Sequence, residues 1–310
     1  MQVHTQLSQL PNFRNPLITI GTFDGVHQGH RRIIERIKAL AADCGGESVV
    51  ITFEPHPRLL LNPGDQSLTL IHTILEKTEA LSALNVDHLV VVPFTLEFAR
   101  QTAEAYVEDF LIGHFHPHTV VIGYDHQFGA ERSGNYQLLE RYKQEGRFQL
   151  EEIPVQMILD LKISSTQIRQ AIQAGKITEA NTLLGSPYSL MGQVIHGKGR
   201  GKGIGYPTAN IQVEHPRKLI PQQGVYAVWV ETEFGKQAGM MNIGTNPTFE
   251  SGPQIHLEVH LLDWQGDLYD KTIRIIFVER IRPEYAFDSV DALIEQIQSD
   301  EKHTRNLFGI

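Results

Sequence analysis

The rhythm of apolar runs changes once along the chain, near residue 185, and that change limits the fold more than any composition figure. Before it, short apolar stretches alternate with stretches at helical spacing: "PLITIGTF", "RRIIERIKALAADC", "SVVITF", "ILEKTEALSALN", "HLVVVPF", "AEAYVEDFLIGHF" and "TVVIGY". A strand buried on both faces reads as a continuous apolar run, so this alternation predicts βαβ units around a parallel sheet. After "LLGSPYSLMG" the pattern becomes strands and tight turns, "GVYAVWVET", "KQAGMMNIGT", "IHLEVHLLDWQGD" and "KTIRIIFVERI", ended by one helix. That predicts a small antiparallel barrel or sandwich. The boundary is expected between Leu184 and Leu190, where Gly185 can cap a helix and Pro187 discourages its continuation. With 310 residues there is length for two cores, one in residues 1–185 and one in 186–310.

Composition mainly excludes. The chain is 41% hydrophobic and 20% charged, with no apolar run long enough to span a bilayer and no basic-then-apolar leader, so a cytoplasmic protein without a membrane partner is expected. A formal net charge of −9 argues against broad nucleic-acid binding, which needs a basic surface to displace counterions. A phosphate ligand would need local cations instead. The single cysteine, Cys44, rules out an intrachain disulfide and a cysteine-rich zinc site. Nothing in the pattern fixes an oligomeric state.

Leu17, Ile18 and Ile20 read as a buried strand, while Ile33, Ile34, Ile37, Leu40 and Ala41 recur at helical spacing. "TIGTFDGVHQGH", residues 19–30, is therefore a strand-to-helix turn, and His27 and His30 sit at a helix amino terminus. Exposed N–H groups and the helix dipole favour an anion there. Gly21, Gly25 and Gly29 permit close approach by a ligand or a neighbouring backbone, and the histidines add hydrogen-bond donors. The bare H-x-x-H spacing is equally met by two of 15 histidines falling together in a loop, so the whole string has to carry the assignment. "ISSTQIRQAI" places Ser164 or Ser165 to cap a helix and Arg169 one turn in; alone, it fits an ordinary capped helix with a solvated arginine.

In the second half, "GKGRGKGIGYPTANI", residues 197–211, carries Lys198, Arg200 and Lys202 on a glycine-rich background and suggests a cationic loop over phosphates. Neither the Walker frame nor G-x-G-x-x-G fits it, and on charge alone a floppy basic loop serves as well. In "IHLEVHLLD" alternation groups Ile255, Leu257, Val259 and Leu261 on one face and leaves Glu258 with His256 and His260 on the other, the pattern of a solvent-facing glutamate. "HFHPH", residues 114–118, alternates histidines, but Pro117 interrupts it and no acidic or cysteine partner is near, so no metal is expected. Val290, Leu293, Ile294 and Ile297 form a helical stripe expected to pack on the barrel.

Whole strings go further than spacing. "GTFDGVHQGH" resembles the nucleotide-binding signature of the HxGH nucleotidyltransferases, and "ISSTQIRQAI" is similar to its companion signature. "FEPHP" at 53–57 and "VVIGYDHQFG" at 120–129 resemble the adenylyltransferase half of bifunctional bacterial riboflavin kinase/FAD synthetases. "YPTANI", "GVYAVWV", "MMNIGTNPTF", "HLEVHLLDWQGDLYDKTIRIIFVERIRPEYAF" and "IEQIQSD" resemble the riboflavin kinase half, in order. The resemblance implies a Rossmann-like α/β nucleotidyltransferase followed by a riboflavin-kinase-like antiparallel β-barrel. It implies ATP as co-substrate, Mg²⁺, and riboflavin, FMN and FAD as substrates or products.

Residue by residue, the resemblance implies ATP and phosphate contacts at Gly21, Phe23, Asp24, Gly25, Gly29, Ser164, Ser165 and Thr166, with His27, His30 and Arg169 in adenylyl transfer. It implies phosphate contacts at Lys198, Arg200 and Lys202, Mg²⁺ and nucleotide at Thr208 and Asn210, and a catalytic base at Glu258. Flavin contacts are implied at Asp125 and Phe128 in the first half and at Arg282, Glu284 and Phe287 in the second. The two chemistries differ in what they ask of a protein. The phosphate of FMN is already an anionic nucleophile, so alignment and charge stabilisation suffice, whereas riboflavin offers a neutral alcohol that a base must deprotonate.

Some positions depart from the family pattern. His126 and Gln127 stand where many members have an aromatic residue followed by arginine, Asn246 stands at a frequent arginine, and Lys202 keeps charge without arginine's fork. Two other readings stay open on the residues alone: a nucleotidyltransferase for another phosphorylated metabolite joined to a degenerate barrel, and a flavin-binding regulatory protein.

Overall fold

A computed structural model of the protein describes residues 1–64, 67–123, 126–153, 163–197, 200–246 and 254–310. The side chains of Arg200, Asn246 and Gln254 are not part of that description. Asp125 and Lys198 lie outside the described residues. The chain divides into two compact units, Met1–Ser165 and Thr166–Ile310.

The first unit is built on a six-stranded sheet in the order β1-β4-β3-β2-β5-β6. Its strands are β1 (Gln2–His4), β2 (Pro16–Ile20), β3 (Glu47–Glu54), β4 (His88–Pro93), β5 (Thr119–Gly123) and β6 (Gln149–Ile153). Every neighbouring pair is parallel, as the continuous apolar runs predict. All five residues of β2 are buried. One face of the sheet packs Ile18, Ile51 and Val92 against Tyr106, Phe110 and Phe115; the other packs Val50, Leu89 and Val91 against Phe23, Ile34 and Leu81. β1 is an edge strand that three residues could not announce by periodicity; its backbone pairing with β4 defines it.

After β4 the order reverses, and β5 lands on the opposite side of β2. In open parallel sheets such a reversal leaves a crevice beyond the carboxyl ends of the central strands, and ligands bind there. The 21–30 turn leaves β2 at that point. It leads into the helix Gln28–Cys44, which buries Ile34, Ile37 and Ala41 and ends at Gly45 with φ of 62°. Full burial of each such isoleucine contributes about 1.5–3 kcal/mol.

The second unit is a closed six-stranded barrel, β10-β11-β8-β7-β12-β9, with antiparallel neighbours throughout. Its strands are β7 (Ser189–Ile195), β8 (Ala209–Gln212), β9 (Gly224–Thr232), β10 (Gly235–Asn246), β11 (Gln254–Leu261) and β12 (Thr272–Arg282). The helix Val290–Phe308 follows, with Ile297 and Phe308 against Ala238, Met240, Leu262 and Trp229. On β11 the alternation holds for buried Leu257, Val259 and Leu261, but Ile255, near the strand's start, is exposed.

The compact units divide earlier than the sequence boundary at 184–190. The helix Ile177–Leu184 does end at Gly185, with φ of 73°. Yet Asn181 ties that helix to the barrel: its amide donates to the Phe277 carbonyl at 2.9 Å and accepts from the Tyr188 N–H at 2.7 Å.

Candidate active sites

The turn after β2 is strained and tightly held. Phe23, Gly25 and Val26 all adopt positive φ, at 45°, 94° and 41°, a conformation that disfavours a bulky or β-branched residue. Four attachments compensate. Phe23 and Val26 are buried; the Asp24 carboxylate accepts from the N–H groups of Ile71 and His72, each at 3.0 Å; the Thr52 hydroxyl donates to the Thr22 carbonyl at 3.1 Å; and the Gly21 N–H donates to the Ile51 carbonyl at 3.0 Å. A β-carbon on Gly29 would press to 3.2 Å from the His27 ring.

His27 caps the following helix, its Nδ1 accepting from the His30 N–H at 3.4 Å. That bond leaves Nε2 to carry the ring proton and act as a donor. The two rings stack 3.7 Å apart, with Phe23 at 5.0 Å from His30. Burial pushes His27 down to about 4 against the pull of Asp24. Burial also holds His30 well below the usual imidazole range, and His27, Lys77 and His72 add to that effect. Among the described residues the buried Nδ1 of His30 has no hydrogen-bond partner. The pair therefore consists of neutral imidazoles that offer polar N–H groups to an anion.

A stability consequence follows for the folded chain without ligands. His27 binds its proton more weakly folded than unfolded, so stability is complete above about pH 6.5 and falls as pH drops toward 4. The loss amounts to about 3 kcal/mol, to order of magnitude. Urea titrations of wild type and His27→Gln from pH 4 to 7 should show the acid sensitivity reduced in the variant; equal slopes would contradict it.

The two signatures of the first half meet. The Ser165 hydroxyl donates to the Asp24 carbonyl at 2.8 Å across 141 residues of sequence, and the helix Ser165–Gln173 begins there. Ser164 and Thr166 are exposed and Arg169 is half-buried further along that helix, in the second unit. Phe128 is an expected flavin contact. It is buried in the sheet core, stacked on Tyr106 at 5.0 Å, with its edge toward bare Gly134. His126 lies 5.7 Å from it.

Sequence reading missed Lys77. It is 4% exposed on the helix Ile74–Ala83, and its ammonium donates to the Thr52 hydroxyl at 3.1 Å. A lysine inside a helical pattern reads as surface, and only the packing shows otherwise.

In the barrel, two cavities share one residue. The larger, about 380 Å³, is lined by Thr208, Glu258, Arg282, Glu284 and Phe287, with Tyr206, Asn242 and Asp300 among the others. Five residues singled out from sequence thus converge, although they come from β11, β12 and the segments flanking β8 and β12. Val290, Leu293 and Ile297 line it too, so the stripe expected to pack on the barrel also forms part of a cavity wall. Arg282 organises one side: its Nε donates to the buried Asp300 carboxylate at 2.8 Å, and its guanidinium lies 4.7 Å from the Tyr285 ring and 5.6 Å from that of Phe287. Gln296 bonds the other Asp300 oxygen at 2.8 Å. A β-carbon at Gly244 would overlap the Glu284 carboxylate, which explains the bare position.

The smaller cavity, about 260 Å³, is lined by Lys202, Pro207, Thr208, Trp264, Asp267 and Tyr269, among others. Trp264 and Tyr269 went unremarked in sequence because one aromatic residue in a turn has no period. At the shared wall the Thr208 hydroxyl donates to Glu258 Oε2 at 3.1 Å; Asn210 pairs with Glu258 across the β8–β11 ladder but lines a third cavity, of about 340 Å³, together with His256. The Asn210 side chain fills the space over Gly197 that a β-carbon would take. Among the described residues no group of three or more His, Cys, Asp or Glu could hold a metal. In "HFHPH", His118 contacts the Thr119 hydroxyl at 2.9 Å.

Comparison with known proteins assigns both halves. A family model described as FAD synthetase matches residues 10–167, and one described as riboflavin kinase matches residues 184–308. Relatives named bifunctional riboflavin kinase/FMN adenylyltransferase include one from Listeria monocytogenes, 38% identical over 95% of this chain and 93% of its own length. Another, from Escherichia coli K12, is 37% identical over 98% and 96%. A crystal structure described as a macrolide-efflux protein from Streptococcus pneumoniae is similar with a TM-score of 0.87 and 34% identity over 98% of each chain. No helix among the described residues here is long and apolar enough to cross a membrane. The parallel-sheet half and the barrel half carry the two matched domains of FAD and FMN synthesis, and the chain belongs to the bifunctional riboflavin kinase/FMN adenylyltransferase family.

Proposed function

We propose that the two barrel cavities that share Thr208 are the flavin and nucleotide sites of the kinase and that phosphoryl transfer occurs at their shared wall. The observation that carries this reading is Thr208, which lines both cavities and bonds to Glu258. The larger cavity, whose aromatic and aliphatic walls are combined with polar groups such as Asn242 and Glu284, suits an isoalloxazine ring. The smaller, with Lys202 and Tyr269, suits a nucleotide, and Arg200 and Lys198 are assigned to the same phosphates on the sequence resemblance.

In this mechanism Glu258 takes the proton of the riboflavin hydroxyl as the γ-phosphoryl group of ATP moves to its oxygen. Thr208 orients the Glu258 carboxylate, and Arg282 holds the aromatic wall. Thr208 and Asn210 supply a hydroxyl and an amide carbonyl, hard oxygen donors of the kind that hold Mg²⁺ together with substrate phosphates. When bound, the ion neutralises charge on the polyphosphate.

The adenylylation site is assigned to residues 1–185 and the kinase to residues 186–310. Gly21, Gly25 and Gly29 let ATP approach the turn, Phe23 and Asp24 hold it, and His27, His30 and Arg169 stabilise charge on the departing pyrophosphate. Ser164, Ser165 and Thr166 secure the second signature. Asp125 and Phe128 are assigned to FMN on the sequence resemblance. The single cysteine and the ATP-dependent chemistry support a cytoplasmic location.

Thr208→Ala tests the shared wall. Kinase turnover at limiting Mg²⁺ should fall by about tenfold or more, the scale of one hydrogen bond to a charged group, while FAD formation from supplied FMN is unchanged. Wild-type kinase turnover at limiting Mg²⁺ would remove Thr208 from the site.

A further inference from the structure

The strand-to-helix turn is backed by a cation that its signature does not contain. Lys77 is almost completely buried, and among the described residues its ammonium makes one hydrogen bond, to Thr52. Among the described residues no carboxylate oxygen lies within 4.0 Å of it. Burying an ammonium carries a heavy desolvation cost that a methionine of similar shape would avoid. Packing therefore does not account for the charge at this position.

The geometry shows what the charge reaches. The Thr52 hydroxyl accepts from Lys77 at 3.1 Å, which directs its own single proton to the Thr22 carbonyl, also at 3.1 Å. Thr22 adjoins Phe23, the first left-handed residue of the turn, whose ring packs on His30. The helix bearing Lys77 is itself fixed by a capping box in which Thr73 and Glu76 bond reciprocally. A rigid helix thus places one cation behind the turn, through one hydroxyl.

We propose that Lys77 is a positioning residue of the adenylylation reaction, holding the 21–30 turn in shape through Thr52 and placing a fixed positive charge behind the two histidines. The inference rests on the reading that His27 and His30 act in that reaction. The groups around it are His27, His30, Asp24 and His72 of the site, Glu54 on β3, and Glu76 on the helix of Lys77. Burial lowers the pKa of the Lys77 ammonium, Asp24 and Glu54 oppose that by favouring the charged form, and Lys77 disfavours a proton on His30. Neutral histidines keep the cap intact, because a protonated His27 Nδ1 can no longer accept from the His30 N–H.

The test is FMN adenylylation by Lys77→Met and Thr52→Val in the full chain, read as kcat/KM for ATP against pH beside the wild type. Lys77→Met should lose about 10²-fold at neutral pH, the scale of a small misplacement at a reacting centre. Its acid limb should move to higher pH, because removing a cation eases protonation of His30. Thr52→Val keeps the charge and removes the relay, so it should lose about 10-fold with the acid limb where wild type has it. Riboflavin phosphorylation should be unchanged in both. Wild-type adenylylation in Lys77→Met, or a loss with an unmoved acid limb, overturns the proposal. Should Lys77→Met fail to fold by circular dichroism, Thr52→Val decides: wild-type turnover there overturns it equally. His27→Ala and His30→Ala run in parallel separate the two levels, since normal adenylylation in both would sink the reading of the site itself.

Discussion

Glu258→Gln should lose riboflavin phosphorylation by about 10²-fold or more, the usual contribution of a positioned acid or base, and should convert supplied FMN to FAD at the wild-type rate. Glutamine keeps the size of the side chain and can still accept from the Thr208 hydroxyl, whose bond to Glu258 is 3.1 Å long, so the cavity wall should stay in place. What it loses is the carboxylate that takes the proton of a neutral alcohol. FAD formation starts from an anionic phosphate and needs no such base. Quantifying FMN from riboflavin and FAD from FMN on one folded preparation gives the answer. Equal losses in both would mean structural damage, and an intact kinase would return Glu258 to a passive role.

His27→Ala and His30→Ala should give the mirror image: FAD formation from FMN reduced by about 10²–10³-fold, the scale for removing one preorganised donor from developing charge, with riboflavin kinase turnover preserved. His27 contributes twice, as the helix cap through Nδ1 and as a donor through Nε2. His27→Asn separates the roles, because asparagine caps a helix well but cannot place a donor where the imidazole Nε2 lies. It should recover stability lost in His27→Ala and little of the turnover. Full recovery of turnover by asparagine would show that His27 serves the fold alone.

Mg²⁺ gives a reciprocal check on the barrel. Thr208→Ala weakens the kinase most where the ion is scarce, whereas Glu258→Gln is equally impaired at every Mg²⁺ concentration. A Mg²⁺ titration of the two variants side by side therefore distinguishes a group that holds the ion from one that moves a proton.

The parallel sheet, the barrel and the turn between β2 and its helix were legible because each rests on a local regularity. β2 and β3 are continuous apolar runs, the helix after the turn repeats Ile34, Ile37 and Ala41 on one face, and β11 alternates Leu257, Val259 and Leu261. The motif strings pointed to His27, His30, Thr208 and Glu258 one by one. They carried no information about Lys77, Asp300 or the cavity wall of Tyr206 and Asn242, since a buried cation, a helix carboxylate and single aromatic or amide groups have no period.

Glu258 shows where the division falls. Strand alternation determined that it lies opposite the buried face of β11, together with His256 and His260, and that much belongs to the sequence, because successive side chains on a strand must point to opposite sides. Whether that opposite side meets solvent or substrate is not a property of the strand. The helix Val290–Phe308 and the segment around Ile204 and Tyr206 form further walls of the cavity that Glu258 lines. Arg282, bonded to Asp300, joins that helix to β12. Those contacts join residues tens of positions apart, so only the closed barrel decided that a glutamate patterned for water should stand beside Thr208 in a cavity.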